Sequence, residues 1–429
     1  MFWQSILAST EKLKEDSMRE VMIIGGGASG LVAAIVAARR GVKVCIIERL
    51  NRVGKKILVT GNGRCNMTNT HMTAKQFHSY DTVDFDRVLN QFGYEACKTF
   101  FMELGIMPLV EGSKVYPLSE QATTVLDVLR MEIERLGVEV ITDTKIVALN
   151  LVKGGWALQS EEGEVYKASK VIVATGGMTN TSLGCDGLGY ELLKKVGHTL
   201  KAPYPILVHL LSSSPYCKMM KGTKIKATVK AFANGKLGRE EYGEVLFTED
   251  GLSGPPIFQI SRVASLAALK KQSCEVILDL FPEQSEDEMT SLIYERITAH
   301  PERTIEQLFI GMLHKRVIIP VLKAAQIESI HRLVEQLEYD EVMRLVGVLK
   351  GFKFEVQGTR GYKFAQVTAG GITATEINLD TMASLKAKNL YITGEVMDVD
   401  GDCGGYNLQW AWATGYIAGK SVSGNEERK

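Results

Sequence analysis

Residues 21–48 have the sequence VMIIGGGASGLVAAIVAARRGVKVCIIE, and they decide the fold of the chain. The apolar run 21–24 predicts a strand that is buried on both faces. A glycine-rich turn follows, and helical spacing of apolar residues then continues to a stop signal at Gly41. Residues 43–47 form a second apolar run, which Glu48 closes. The stretch therefore predicts a strand, a tight turn, a helix and a second strand.

Each residue type in this stretch suits the binding of a dinucleotide. Gly25 lets the chain turn sharply, Gly27 lets a pyrophosphate approach the backbone, and Gly30 lets the helix pack close to the strand. The helix N-terminus offers free N–H groups and a partial positive charge to phosphates. Glu48 stands where an acid accepts hydrogen bonds from ribose hydroxyls, which favours FAD or NAD over NADP. A glycine-rich turn in another kind of α/β protein is the alternative interpretation.

Length and composition limit the classes of protein that fit. The 429 residues exceed one typical core, so two or three domains are expected. The 50 basic and 50 acidic residues balance, which argues against a nucleic-acid-binding or membrane-surface protein. Seven scattered cysteines without a C-x-x-C pair favour a reducing cytoplasm and predict neither disulfides nor a metal site. No apolar run approaches the ~20 residues of a membrane span, so no membrane insertion is expected.

Changes of pattern along the chain predict its domain organisation. Residues 1–19 form a short leader without the features of a signal peptide. Residues 20–200 carry the dinucleotide motif and alternate strand and helix patterns, and residues 352–423 return to buried strands and a terminal helix. Residues 201–351 are rich in strand patterns and end in a helical part at about 285–350. We therefore expect a dinucleotide-binding domain that is interrupted by an inserted domain.

Three later features extend the predicted site. The loop after Glu48 carries Lys56 and Arg64, whose cations could neutralise a pyrophosphate. An apolar strand ends in A-T-G-G at residues 174–177, a feature of flavoproteins with two dinucleotide folds. Glu395 follows another apolar strand, where it could accept hydrogen bonds from ribityl or ribose hydroxyls.

The segment DVDGDCGGYNLQ, residues 398–409, leads into the terminal helix. A helix that opens after Gly405 presents a second anion site, which in a flavoprotein would face the N1–C2=O edge and stabilise negative charge there. Asp398, Asp400 and Asp402 otherwise indicate an exposed acidic loop. A calcium loop is not expected, because no downstream glutamate completes that pattern.

Four long motifs carry a resemblance that covers about residues 21–419. They are GKKILVTGNGRCNMTN at 54–69, GEVLFTEDGLSGPPI at 243–257, QVTAGGI at 366–372 and GEVMDVDGDCGGYNLQWAWATG at 394–415. Through them the sequence resembles the bacterial NAD(P)/FAD-dependent oxidoreductase family that includes aminoacetone oxidase and the 3-dehydro-bile acid Δ4,6-reductase. It departs from the family pattern at Glu249, where a histidine is usual, and at Pro256, where a small residue is usual.

The resemblance implies an α/β fold with a two-dinucleotide-binding-type FAD domain around a central parallel sheet. An inserted β-barrel-like domain with a helical subdomain would interrupt it. The resemblance also implies FAD as the cofactor and NADH or NADPH as a transient electron donor. It suggests, as FAD contacts, the matched residues Gly25, Gly27, Ser29, Gly30, Glu48, Lys56, Gly61, Gly63, Arg64, Cys65, Thr175, Gly176, Glu395, Gly405, Asn407 and Leu408.

The resemblance supplies no general acid, and three hydroxyl groups are candidates by motif position: Tyr116, Ser119 and Tyr406. Packing or cofactor contact is the alternative role for each of them.

We expect an FAD-dependent oxidoreductase that uses NAD(P)H to reduce a C=C bond conjugated to a ketone in a steroid-like small molecule. Hydride transfer would run through flavin N5. A flavin oxidase of a small amine that uses O2 is one alternative, and a non-catalytic FAD-binding or RNA-associated protein is another. A cytoplasmic location without a nucleic-acid partner is expected. The substrate itself and the oligomeric state are left open.

Overall fold

The computed structural model describes residues 18–424. They form two compact units, of which one runs up to Pro203 and resumes at Gln366, and the other is Tyr204–Ala365. Each unit has its own cluster of buried apolar side chains. The predicted leader lies outside the described residues as far as residue 17, and Arg19 already belongs to the first strand.

The strands of the described residues are, in chain order, β1 Arg19–Ile24, β2 Val44–Ile47, β3 Thr68–Asn69, β4 Phe77–His78, β5 Pro108–Glu111, β6 Lys114–Pro117, β7 Glu139–Ile141, β8 Ile146–Val152, β9 Gly155–Ser160, β10 Val165–Val173, β11 Leu200–Ile206, β12 Leu210–Ser212, β13 Lys224–Ala233, β14 Lys236–Phe247, β15 Gly251–Ser253, β16 Cys274–Asp279, β17 Phe352–Thr359, β18 Val367–Ile372, β19 Ile377–Asn378, β20 Ala383–Ser384, β21 Leu390–Ile392 and β22 Asp400–Gly401.

The α-helices of the same residues are α1 Ala28–Ala38, α2 Asp86–Leu89, α3 Tyr94–Glu103, α4 Ala122–Arg135, α5 Leu188–Lys195, α6 Pro215–Met219, α7 Pro255–Leu269, α8 Glu286–Ala299, α9 Ile305–Leu308, α10 Lys315–Ala324, α11 Tyr339–Lys350 and α12 Tyr406–Val422. Short 3₁₀ segments also occur, and the one over Lys55–Gly63, in the predicted cofactor loop, is interrupted by non-helical backbone at residues 60–62. Within residues 18–424, no helix has the length and apolar character needed to cross a membrane.

Parallel strands in the order β21-β10-β1-β2-β7 form the parallel part of the large sheet of the first unit, with β7 at one edge. Residues 21–24 of β1 and all of β2 are buried, as expected for strands that are covered on both faces. The β1–α1–β2 unit is therefore the predicted dinucleotide-binding arrangement. The predicted fold class, an α/β domain with a central parallel sheet that is interrupted by an inserted β-barrel, is confirmed.

Strand β10 is one continuous strand whose two halves have different neighbours within the same sheet. Its first half, from Val165 to Ala168, pairs antiparallel with β9, and its second half pairs parallel with β1 and β21. Taken alone, the alternating pattern of residues 165–168 and the apolar pattern of residues 170–175 predict two separate strands. The change of pattern marks a change of neighbours, since residues 171–173 are fully buried between two parallel strands.

The second unit contains a closed barrel with the strand order β12-β15-β14-β13-β16-β17. Phe247, Phe352 and Phe354 are fully buried in its core, where the ring of Phe354 contacts the other two. The sequence placed the return to the first domain at residue 352, but β17 pairs with β16 and β12, and the first unit resumes at Gln366. Alternating burial along β17 fits a barrel strand as well as a half-buried sheet strand, so its period does not identify the unit.

Helices α1 and α12 pack backbone against backbone. A Cβ atom added to Gly415 would lie 2.3 Å from the carbonyl oxygen of Ser29, and one on Gly419 would lie 2.5 Å from that of Ala33. Because the later residue of α12 contacts the later residue of α1, the two helices run in the same direction. Small residues at these positions therefore fix where the two helix N-termini lie.

Candidate functional site

The three motif glycines have different structural tasks. Gly25 has a φ of +101°, and a Cβ there would lie 2.5 Å from the carbonyl oxygen of Ala174. A Cβ on Gly30 would lie 2.0 Å from the carbonyl oxygen of Gly25, so this position brings helix and strand together. A Cβ on Gly27 would meet nothing within 4 Å. Gly27 is also the N-cap of α1 and provides no side-chain cap, which leaves the first-turn N–H groups without a side-chain acceptor.

Glu48 lies buried at the end of β2, beside this helix N-terminus. Its carboxylate accepts hydrogen bonds from the N–H of Gly26 at 2.9 Å and from the N–H of Leu50 at 2.9 Å. Burial raises the pKa of Glu48, and the two backbone donors oppose that rise. Each carboxylate oxygen can accept a further bond, so Glu48 fits the role of a ribose acceptor.

Lys56 and Glu395, which the sequence predicted separately, form an ion pair with an Nζ–Oε2 distance of 2.8 Å. Lys56 also donates to the hydroxyl of Thr179 at 2.9 Å, and Glu395 accepts from the N–H of Thr368 at 2.8 Å. Burial by itself would lower the pKa of Lys56, but Cys185 and Glu395 beside it raise the pKa above its ordinary value. The ammonium group is therefore charged at neutral pH. Sequence reasoning missed Thr179 and Thr368, because no spacing pattern marks them.

Thr175 and Gly176 follow β10 and approach the glycine turn through Ala174. The hydroxyl of Thr175 is buried and has no hydrogen-bond partner among the described residues. A buried hydroxyl of this kind calls for a partner, which a bound group could supply. Gly176 has a φ of +72°, and a Cβ there would lie 2.8 Å from Sγ of Cys185.

The loop before α12 brings a second uncapped helix N-terminus into the site. The N-cap Gly405 has a φ of +97° and no side-chain cap, and a Cβ there would lie 2.6 Å from the carbonyl oxygen of Thr68. Asn407 binds both the N–H and the carbonyl of Gly401, at 2.8 and 2.7 Å, so its side chain closes the loop. Leu408 packs against the core. The backbone N–H groups of this turn, which no side chain caps, are therefore the groups that could bind a ligand.

The separation of the two helix N-termini follows from the crossing of α1 and α12. Ser29, the second residue of α1, lies against Gly415, which is nine residues after the start of α12. The N-terminus of α12 thus extends beyond that of α1 by roughly 12 Å, at about 1.5 Å per residue. Both ends point the same way. A dinucleotide with a pyrophosphate and a distant ring that becomes anionic fits two such ends.

The predicted cofactor loop contains several residues with left-handed backbone. Gly61 has a φ of +56°, Gly63 of +83° and Cys65 of +58°. The conformation is unfavourable for a cysteine, and such strain is found at binding sites. Cys65 is fully buried, and burial raises the pKa of its thiol to about 12, which makes it unreactive.

Arg64 has contacts that differ from its predicted role beside a pyrophosphate. Its guanidinium group pairs with Glu111 at 2.7 Å and with Glu120 at 3.0 Å. It also stacks on the ring of Tyr116, with Cζ 4.1 Å from the ring centroid. These contacts engage Nη2 without a phosphate and connect the cation to a candidate acid, while the buried Nε has no hydrogen-bond partner among the described residues.

The three candidate acids differ in whether their hydroxyl is available. Ser119 is exposed and donates to the hydroxyl of Thr124 at 2.8 Å. Tyr406 donates to the carbonyl oxygen of His71 at 3.2 Å. Tyr116 is 7% exposed, and residues 18–424 provide no hydrogen-bond partner for its hydroxyl. Burial raises the pKa of Tyr116, so its hydroxyl holds a proton at neutral pH.

The acidic segment before α12 is not an exposed loop, and that alternative interpretation was wrong. Asp398 is 0% exposed and Asp400 is 1% exposed. Asp398 accepts hydrogen bonds from the hydroxyl of Ser79 at 2.7 Å and from the N–H of Tyr80 at 2.9 Å, while its Oδ1 has no partner among the described residues. Burial raises the pKa of Asp398 to about 6. Partners far away in sequence bury it, so local composition could not reveal this.

The fold and these features define a Rossmann-type dinucleotide-binding domain, and the family and relatives named next show the chain to be an FAD-dependent oxidoreductase. The family profile described as HI0933-like protein Rossmann domain matches residues 19–421, and the chain belongs to that family. The resemblance inferred from the four sequence motifs is thereby confirmed.

Two relatives align with nearly the whole chain. The chain is 39% identical over 409 residues to the 3-dehydro-bile acid delta(4,6)-reductase of Clostridium scindens, covering 95% of this chain and 99% of that protein. It is 27% identical over 410 residues to the ribosomal RNA dihydrouridine synthase of Haemophilus influenzae, covering 94% and 98%. Among solved structures, the 3-ketosteroid-delta4-(5alpha)-dehydrogenase of Rhodococcus jostii RHA1 has a TM-score of 0.48 and 16% identity, covering 96% of this chain and 98% of that one.

Proposed function

We propose that the protein binds FAD and uses NADH or NADPH to reduce a C=C bond conjugated to a ketone in a steroid-like small molecule. The observation that carries this proposal is the 39% identity to a bile-acid reductase over nearly the full length of both chains. Bound FAD would supply hydride transfer through its N5 atom. The uncapped N-termini of α1 and α12, Glu48 and the buried hydroxyl of Thr175 support FAD as the occupant.

Different groups of the chain would bind different parts of the cofactor. The first-turn N–H groups of α1 would bind the pyrophosphate in the open space over Gly27, and Glu48 would accept the ribose hydroxyls. Lys56 and Glu395 would lie along the linker, one as a cation and one as an acceptor. We propose FAD contacts for Gly25, Gly27, Ser29, Gly30, Glu48, Lys56, Gly61, Gly63, Cys65, Thr175, Gly176, Glu395, Gly405, Asn407 and Leu408.

The N-terminus of α12 would tune the cofactor as well as bind it. Its first-turn N–H groups are uncapped, and its dipole places partial positive charge at that end. Donors fixed in advance stabilise a developing negative charge at little reorganisation cost. The folded chain thereby makes acceptance of a hydride more favourable.

Anaerobic product analysis tests the reaction. The purified holoprotein would be incubated with NADH or NADPH and a 3-keto steroid that carries a conjugated double bond. The proposal predicts that the nucleotide is oxidised and that the product has gained two hydrogens at the double bond. Peroxide formation with a small amine and O2, without enone reduction, would instead identify an amine oxidase. A flavin that no donor reduces would identify a non-catalytic FAD protein.

A second candidate is reduction of uracil in RNA, which the relatives named ribosomal RNA dihydrouridine synthase favour. The double bond of uracil is also conjugated to a carbonyl, so the same chemistry would serve. The balanced charge of 50 basic and 50 acidic residues argues against RNA, and the absence of a nucleic-acid partner stays a prediction. Incubation of the reduced protein with unmodified ribosomal RNA, followed by nucleoside analysis for dihydrouridine, distinguishes the two substrates.

A further inference from the structure

We propose that the Tyr116 hydroxyl donates the proton in this reduction, and that Arg64 is the residue that positions the tyrosine. The inference rests on the proposed enone reduction and assigns a role that the cofactor cannot fill. A hydride added to one carbon of an enone must be matched by a proton on its neighbour. The candidate must therefore lie near the cofactor loops and carry an available proton.

The location of Tyr116 meets the first requirement. It lies on β6, and its Cε1 is 3.6 Å from the point where a Cβ on Gly61 would stand, so the ring contacts the cofactor loop. Cys403, two residues before the N-cap of α12, is close enough to raise the pKa of the Tyr116 hydroxyl. Tyr116 is thus next to both loops to which we assign cofactor contacts.

The proton of Tyr116 is also available. Ser119 and Tyr406 each donate their hydroxyl proton to another group, whereas the described part of the chain leaves the Tyr116 hydroxyl without a partner. The residue as a whole is 7% exposed, and its hydroxyl oxygen reaches solvent, from which it can regain a proton.

Arg64 supplies the positioning. Its guanidinium lies over the ring, with Cζ 4.1 Å from the centroid, and Glu111 and Glu120 bind its Nη2 at 2.7 and 3.0 Å. Cation–π contact of this kind restrains the ring, and the positive charge favours the phenolate that remains after proton transfer. Arg64 accordingly opposes the upward shift that burial imposes on the pKa of Tyr116.

The proposed step balances in atoms and electrons. Bound reduced FAD would supply the hydride, and with it both electrons, to the β carbon of the enone. The O–H bond of Tyr116 breaks, its proton goes to the α carbon, and the electron pair of that bond stays on the phenolate oxygen. The C=C bond thereby becomes CH–CH, and the phenolate takes a proton from water.

Tyr116→Phe in the holoprotein tests the proton donor. The phenylalanine keeps the ring under Arg64, so the variant should retain its flavin and be reduced by NAD(P)H at the wild-type rate. Reoxidation of the reduced protein by the enone should slow by about 100-fold or more. Tyr94→Phe is the matched control, because Tyr94 lies in the same unit and also has a cation, Lys98, 5.2 Å from its ring centroid. Its reoxidation should stay at the wild-type rate.

The outcomes separate this inference from the function beneath it. Reoxidation of Tyr116→Phe at the wild-type rate would overturn the proton donor and leave the enone reductase intact. A wild-type protein that reacts with no enone would overturn both.

The role of Arg64 has a readout that needs neither turnover nor flavin. Protein labelled with a fluorinated tyrosine of lowered pKa would be titrated by fluorine NMR, with the residue 116 signal assigned by its loss in Tyr116→Phe. Arg64→Met should raise the pKa of this tyrosine, and Arg64→Lys should restore part of the difference. An unchanged pKa in Arg64→Met would overturn the positioning role.

Discussion

Asp398 is a carboxyl group that the fold buries completely, with a pKa raised from 3.8 to about 6. Between these values the folded state binds more protons than the unfolded state, so the free energy of unfolding should fall as pH rises through this window. Above about pH 6 the group is a buried charge that weakens the fold. Asp398→Asn cannot ionise and should lose this pH dependence. Urea unfolding at a series of pH values measures the effect.

A matched control for Asp398→Asn is Asp127→Asn, which removes an exposed carboxylate with 64% of its side chain accessible. It should keep the wild-type pH dependence between pH 4 and pH 6. Equal slopes for wild type and Asp398→Asn in that window would contradict the account.

Gly27→Glu tests the cofactor placement at a single residue. A Cβ at this position meets nothing within 4 Å, so the chain should still fold, while the new carboxylate would occupy the space assigned to the pyrophosphate. We expect a protein that purifies without flavin, as judged by its visible absorbance. Gly347→Glu is the control, because its Cβ also meets nothing within 4 Å but lies on α11 in the other unit. A yellow Gly27→Glu protein would refute the placement.

For individual residues, the sequence predicted which side chains belong to the site better than it predicted their contacts. The separate predictions for Lys56 and Glu395 came from turn and strand patterns, but their ion pair joins residues far apart in the chain. The contacts of Arg64 with Glu111 and Glu120 could not be foreseen either, since a basic loop has no pattern that says which carboxylates it will meet.

Among the elements, the crossing of α1 and α12 sets the distance between the two anion sites. Gly415→Ala places a Cβ only 2.3 Å from the carbonyl oxygen of Ser29, so the helices must separate. Overpacking of this kind costs about 1–3 kcal/mol of unfolding free energy, and displacement of α12 should weaken flavin retention. Urea unfolding and the flavin content of the purified protein measure both effects.

Gly347→Ala provides the comparison for that change. Its Cβ meets nothing within 4 Å, and alanine is the better helix former, so this variant should be as stable as wild type or slightly more so. A Gly415→Ala protein that matches it in stability and flavin content would show that the close crossing is unimportant.

Elements also show where sequence patterns are sufficient and where they fail. The β1–α1–β2 unit was predictable because buried parallel strands and a helix have different periods. β10 was divided in two and β17 was assigned to the other domain, because period reports burial and does not identify the partner strand.

For the whole molecule, the family match over residues 19–421 spans both units, so the barrel belongs to the family architecture. The first unit is built from both ends of the chain, and β21 and α12 complete the sheet and the site from the far end. Length and composition indicated more than one domain. Only the contacts of the folded chain show that it returns to the first unit at Gln366.

The measurement that tests the central claim most directly is the visible flavin absorbance of the purified protein under anaerobic conditions. We predict that NADH or NADPH bleaches it, and that a conjugated steroid ketone then restores it with one equivalent of reduced product. An oxidised spectrum that neither nucleotide bleaches, or a bleached one that only O2 restores, would contradict the account.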